Sequence, residues 1–210
     1  MAAVTEFVVA ADARRWRSVG FAVNDAGLMQ LGGIRVRFVD AANSRAGIDS
    51  WVIADAADPS VTNIDGLDTA HGEASSDMTV QALHPNGIIG IDHVVVYTSH
   101  LEHTCDAIAR VTGAPLKRIR EVGALRQGFH RLGELIVEVV TYPEIAVDGA
   151  TFWGLALNVA DIDQMYATYG EGVMSAPKVA VQPGRQISSF RNEAQLGLPV
   201  AVMTSTPPRR

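Results

Sequence analysis

The sequence predicts an α/β (α+β) protein made of repeated strand–helix–strand–strand–strand units. Three observations carry this reading. Helix-capping residues stand before amphipathic segments at Asp12, Ser99 and Asp161. Runs rich in β-branched or apolar residues, at 91–97 and 153–159, lead into the last two of these caps. Further strand-like runs follow each helix, so the unit repeats at about 50 residues, and one such unit cannot bury its sheet face alone. Two units must pair, which implies a cupped mixed sheet.

The first unit spans residues 1–57. Residues 7–10 read as a short strand, and Asp12 caps a helix on which Ala13, Trp16 and Val19 recur at helical spacing before Gly20 ends it. Strands follow at 28–31, 34–39 and 50–53. Ile34, Val36 and Phe38 alternate with Arg35, Arg37 and Val39, a pattern of one buried and one largely solvated face. Residues 58–88, dominated by Asp, Ser, Thr, Gly and Pro, read as a surface linker, with His71 and His84 as solvated loop residues.

Residues 89–204 form the main domain, with modules at 89–145 and 150–204. In the first module Ser99 and Glu102 have the spacing of a capping box, and Leu101, Cys105 and Ile108 make the buried stripe of its helix. Gly113 and Pro115 stop that helix, and strands follow at 125–132 and 135–140. In the second module Asp161 and Gln164 repeat the cap, and Ile162, Met165, Tyr166 and Tyr169 form an apolar face closed by Gly170 and Gly172. Strands are expected at 179–181, 186–190 and 198–203, and the tail at 207–210 is expected to fray.

Composition excludes several classes. The chain has 210 residues, is 48% hydrophobic and 19% charged, and carries a net charge of −6, so nothing attracts a nucleic-acid backbone. Its single cysteine, Cys105, forms no intrachain disulfide and fits a reducing, cytoplasmic setting. No secretory signal opens the sequence, and no apolar run approaches the ~20 residues that span a bilayer. Phosphate-binding loops and dinucleotide fingerprints are missing, so no nucleotide cofactor is expected.

Two polar residues interrupt apolar strands of the first module: His93 in the first strand and Glu138 in the last. Such a pair can build half of a metal site, or do acid–base work without a metal. The plainer alternatives are a core histidine bonded to Glu138 or a backbone carbonyl, and a Glu138 ion pair with Arg126 or Arg131. His103 faces solvent and His100 flanks the buried face of their helix, so both read as surface positions; Cys105 is an inert core thiol, and Trp16, Trp51 and Trp153 read as core. On strand 125–132, Gln127 and Phe129 share one face and Arg126, Gly128 and His130 the other; parity alone does not say which faces the cup.

The run Ile91-Asp92-His93-Val94-Val95-Val96-Tyr97-Thr98, the capped helix and the strand bearing Glu138 resemble the βαβββ module of the vicinal oxygen chelate superfamily. This superfamily includes glyoxalase I, methylmalonyl-CoA epimerase, extradiol dioxygenases and bleomycin-resistance proteins. Arg126-Gln127-Gly128-Phe129 and Gln182-Pro183-Gly184-Arg185 are similar to stretches of actinobacterial glyoxalase-like proteins. Residues 88–204 carry the likeness well, and residues 5–56, as a degenerate N-terminal module, carry it more weakly.

The resemblance implies a glyoxalase-like lyase, isomerase or dioxygenase acting on a small oxygen-rich substrate. His93 and Glu138 would be both catalytic residues and ligands of a divalent metal (Zn, Ni, Mn or Fe), in a cytoplasmic homodimer. Tyr97, Arg126, Gln127, Phe129, His130 and Arg185 would contact substrate. The second module's two ligand positions fall on Gly154 and Ala201, which carry no donor. Two alternatives therefore stand beside the enzyme: a non-catalytic protein that binds or sequesters a small molecule, and a structural role in which the N-terminal unit stabilises an oligomer.

Overall fold

A computed structural model describes residues 1–40, 46–73 and 83–205. Its architecture is mixed α+β with two large mixed sheets and short helices. The N-terminal sheet contains β1 (Ala3–Ala10), β2 (Leu28–Leu31), β3 (Ile34–Val39), β4 (Gly47–Ala54), β5 (Asn63–Ile64) and β6 (Leu67–His71), in the order β2-β3-β1-β4-β6-β5. Helix α1 (Ala13–Ser18) follows β1, and the Asp12 carboxylate caps it by accepting from the Arg14 N–H.

The order of this sheet changes the reading of residues 1–88. The strand at 47–54 does not complete the first unit; it runs antiparallel to β1 on the side away from β3. With β5 and β6 it forms a second, helix-free half, so part of the expected linker is sheet. His71 donates through Nε2 to the Val61 carbonyl, 2.7 Å away. His84 is also no solvated loop residue: it is 6% exposed and bridges the Ala22 N–H and the Gln30 carbonyl. Polar, turn-rich sequence concealed β5 and β6, because a strand of two to five residues is too short to show a period.

The C-terminal sheet holds eight strands. Its first module is β7 (Ile88–Thr98), α2 (Leu101–Thr112), β8 (Arg118–Val122), β9 (Leu125–Leu132) and β10 (Leu135–Thr141). Its second is β11 (Ala150–Val159), α3 (Ile162–Tyr169), β12 (Lys178–Val179), β13 (Gln186–Ser189) and β14 (Val200–Thr204). The order β12-β13-β14-β11-β7-β10-β9-β8 puts the two first strands, β7 and β11, side by side and antiparallel at the centre. The tail at 206–210 lies outside the described residues.

Helix α2 lays Leu101, Cys105 and Ile108 on the sheet, as its periodicity predicts. It approaches β9 so closely that a Cβ on Gly128 would sit 2.6 Å from the Cys105 Sγ, which explains the glycine. Gly113 closes the helix in the left-handed conformation, φ 73°. The expected capping box does not form: Ser99 instead bonds to the 145–147 segment, and Glu102 turns to Arg126. Asp161 does cap α3, accepting from the Gln164 N–H at 2.9 Å.

One hydrophobic cluster joins both sheets. Phe7 and Trp51 of the N-terminal sheet meet Phe152 of β11 edge-on, at centroid distances of 6.2 and 5.1 Å. The Trp16 indole N–H donates to the Leu196 carbonyl at 3.0 Å, tying α1 to the last module. No helix among the described residues is long and apolar enough to cross a membrane.

Candidate functional site

The face of the C-terminal sheet opposite α2 carries the candidate site. The outermost strands, β8 and β12, both contribute to one cleft of about 740 Å³, so the sheet curls until its two edges face each other. His93 on β7 and Glu138 on β10 lie on its floor, with Gln127 and Phe129 of β9 beside them. Arg118 and Arg120 of β8 and Lys178 of β12 stand around it.

His93 and Glu138 are each 13% exposed, and 3.3 Å separates His93 Nε2 from Glu138 Oε2. The Gln127 amide donates to the other carboxylate oxygen. On its far side, His93 Nδ1 lies 2.8 Å from Asp92 Oδ2, and Asp92 Oδ1 receives the Arg185 guanidinium at 2.8 Å. Arg185, only 5% exposed, also bonds the Asn158 side chain and the Thr204 carbonyl. Burial acts to raise the Asp92 carboxyl, but the hydrogen bond and charge of His93, with the Arg185 guanidinium, outweigh it and hold the pKa below its usual value.

Neighbouring residues on a strand point to opposite faces, so Asp92 and His93 should not share a side. A β-bulge overrides the rule. His93 pairs with Ala156 and Ile91 with Leu157, which leaves Asp92 as an extra residue on β7. Ile91 and Val94 are accordingly both buried, and Asp92 and His93 both line a pocket that adjoins the cleft and shares Glu138 and Phe129 with it. Parity therefore hid Asp92 from sequence reasoning, and nothing local marks the bulge.

The other expected contacts divide. Gln127 and Phe129 face the cleft, where the Arg118 guanidinium lies 4.6 Å over the Phe129 ring. Arg126 and His130 face the other way. Arg126 pairs with Glu102 and Glu121, and His130 is 1% exposed beneath the Ala114 carbonyl. Glu138 therefore pairs with neither Arg126 nor Arg131. Tyr97 lies farther along β7 against Trp153 and Tyr142, and burial first, then Tyr142, pushes its phenol up to about 12. Trp153 departs from the core expectation, at 43% exposed.

The two modules are related by an internal twofold that the register makes explicit. His93 pairs with Ala156 and Gly154 with Val95; Glu138 pairs with Val95 and Ala201 with Ala156. Gly154 and Ala201 thus occupy the places of His93 and Glu138. A Cβ on Gly154 would stand 2.4 Å from the Pro199 carbonyl oxygen, so no donor side chain fits there without parting the two segments. Among the described residues no group of three metal-ligating side chains converges. The donor set is two short of a four-ligand centre and does not fit a catalytic metal, which needs about three protein ligands.

A triple-substituted variant of 4-hydroxymandelate synthase from Streptomyces coelicolor superposes with a TM-score of 0.66 at 15% identity, covering 99% of this chain and 94% of that one. The chain has the vicinal oxygen chelate fold. Methylmalonyl-CoA epimerases match parts of this fold: the Mycobacterium tuberculosis enzyme at TM-score 0.49, 16% identity and 60% of this chain against 94% of its own. A Streptomyces coelicolor epimerase variant gives 0.46, 18%, 56% and 97%. No family model matches the sequence, and no curated protein does. At these identities the likeness establishes a vicinal oxygen chelate fold and no activity.

Proposed function

We propose that the curled sheet binds a small organic anion and that His93 and Glu138 move a proton on it. The observation that carries this is the 3.3 Å His93–Glu138 contact on the floor of a cleft bordered by three cations. The chain is acidic, yet among the described residues no carboxylate stands within ion-pair distance of Arg118, Arg120 or Lys178. Charge left unpaired around a concave surface favours a ligand of opposite sign.

The chemistry follows from the hydrogen bonds. Asp92 holds His93 by Nδ1, which leaves Nε2 as the working nitrogen, facing Glu138. The two groups can hold one proton between them, on the imidazole or on the carboxyl. A ligand carbon acidified by an adjacent carbonyl can give its proton to Glu138 or His93 and receive one back, while Arg118, Arg120 and Lys178 offset the developing oxyanion. This is the proton-transfer step of an isomerase or lyase. The transfer uses the side chains alone, because His93 and Glu138 are too few donors to hold a catalytic metal.

The test is exchange in deuterated water with pyruvate, oxaloacetate and malonate as probes, followed by proton NMR. Enzyme-dependent loss of the C–H signal of at least one probe, abolished by Glu138→Gln and by His93→Gln, is the expected result. A second reading, sequestration without chemistry, is favoured by the way Gln127 and Asp92 already engage the pair. Anion binding without exchange would select it, and neither binding nor exchange would sink both. Reconstitution with zinc, nickel, manganese or iron is the separate check on the metal; stoichiometric uptake would require donors beyond His93 and Glu138.

A further inference from the structure

The internal twofold that exposes the missing ligands also relates two pockets. The bulge at Asp92 has a counterpart on β11: Phe152 pairs with Val96 and Gly154 with Val95, leaving Trp153 as the extra residue. In one module the bulge turns an aspartate into the polar pocket that adjoins the cleft. In the other it turns a tryptophan out of the sheet, 43% exposed, while Trp16 and Trp51 are fully buried.

Trp153 borders a separate pocket of about 500 Å³, walled by the segment from Ser189 to Ala201. That is within the range of small-molecule sites. Its indole stacks on Tyr97 at 5.2 Å with planes 22° apart, and Tyr97 in turn meets Tyr142 edge-on at 5.8 Å. The indole is thus held in a row of rings rather than free to collapse. Leu198 and Pro199 supply apolar wall, and Asn192, Gln195 and Arg191 supply polar groups around it.

The wall is built rather than loose. The buried Trp16 indole fixes the Leu196 carbonyl at 3.0 Å, Leu155 N–H bonds the Pro199 carbonyl at 3.0 Å, and Phe190 N–H bonds the Val200 carbonyl at 2.9 Å. Gln195 holds a left-handed backbone, φ 52°, a conformation that a non-glycine residue keeps only when its surroundings impose it. The N-terminal unit, through Trp16, thereby shapes a pocket on the last module.

We propose that Trp153 and the 189–201 segment form a second ligand subsite, which takes a planar aromatic or heteroaromatic ring carrying a hydrogen-bond acceptor. The ring stacks on or against the indole, and the acceptor meets the donors of Asn192, Gln195 or Arg191. The Arg191 guanidinium, 3.6 Å from Glu171, is partly neutralised, so an uncharged or weakly polarised acceptor suits it better than a full anion. This distinguishes the subsite from the cationic cleft over His93.

The full chain titrated with 4-fluorobenzamide and followed by fluorine NMR tests this. Saturable binding is expected, with benzamide displacing the probe and cyclohexanecarboxamide, a saturated ring of similar size, failing to do so. Trp153→Ala is expected to weaken binding by about tenfold or more, as for other stacked rings, and Trp153→Phe to retain most of it. His93→Gln is expected to leave it unchanged, so this subsite and the proton-transfer reading stand or fall separately. Equal binding in Trp153→Ala, equal displacement by the saturated ring, or a self-associated wild type in which acrylamide cannot reach Trp153 would each overturn the proposal.

Discussion

At the residue scale, the sequence singled out His93 and Glu138 because each breaks an apolar strand, and the structure brings them within 3.3 Å. It concealed Asp92, and it misjudged His84. Burial first, opposed by the hydrogen bond to Gln30, lowers the His84 pKa from 6.5. The unfolded chain protonates this imidazole as pH falls through about 6.5, whereas the folded chain resists until a lower pH. Between the two values the unfolded state binds more protons, so stability drops on acidification below about 6.5 and is recovered above it. His130 has the same direction of shift. Thermal melts across this window should show the loss, and His84→Gln should flatten it. Cys105 gives a second prediction: burial first, then Asp106 and Glu102, pushes its thiol up to about 12. A disulfide reagent should leave it unmodified in the native chain at about pH 8 and label it once urea unfolds the protein.

At the element scale, periodicity found the helices and most strands of 89–204, because long amphipathic segments declare their buried face. Caps were less legible. Asp12 and Asp161 cap as expected, but Ser99 shares its spacing with a capping box and spends its hydroxyl on the 145–147 segment. Bulges were invisible, since an extra residue is defined only against its partner strand. Gly154 shows what such registry demands. Its place in the internal twofold is that of His93, yet a Cβ there meets backbone rather than a movable side chain. Gly154→Ala should cost about 1–3 kcal/mol by overpacking, read as a lower urea midpoint, with Gly172→Ala as the control in open space.

At the scale of the whole molecule, the two sheets share one core, and hydrogen bonds cross between them: Trp16 to Leu196, Ala150 N–H to the Asp65 carbonyl and Asn86 N–H to the Gly20 carbonyl. A core continuous across units unfolds as a unit. Calorimetry should therefore show one transition whose van't Hoff and calorimetric enthalpies agree. Two resolved transitions would mean that the N-terminal sheet folds on its own. Trp16→Phe should lower the midpoint and loosen the wall beside Leu196 without disturbing the cleft over His93.

By itself the sequence determined the module, its repeat and the two polar residues of the floor, because hydrophobic period and capping chemistry are local properties. Only the tertiary structure decided which face of β9 looks into the cup, that Arg185 reaches across modules to Asp92, and that residues 63–71 extend a sheet. Those are relations between strands far apart in the chain. A bulge of one residue turns a side chain to the other face, and no pattern read along a single strand records where its partner skips.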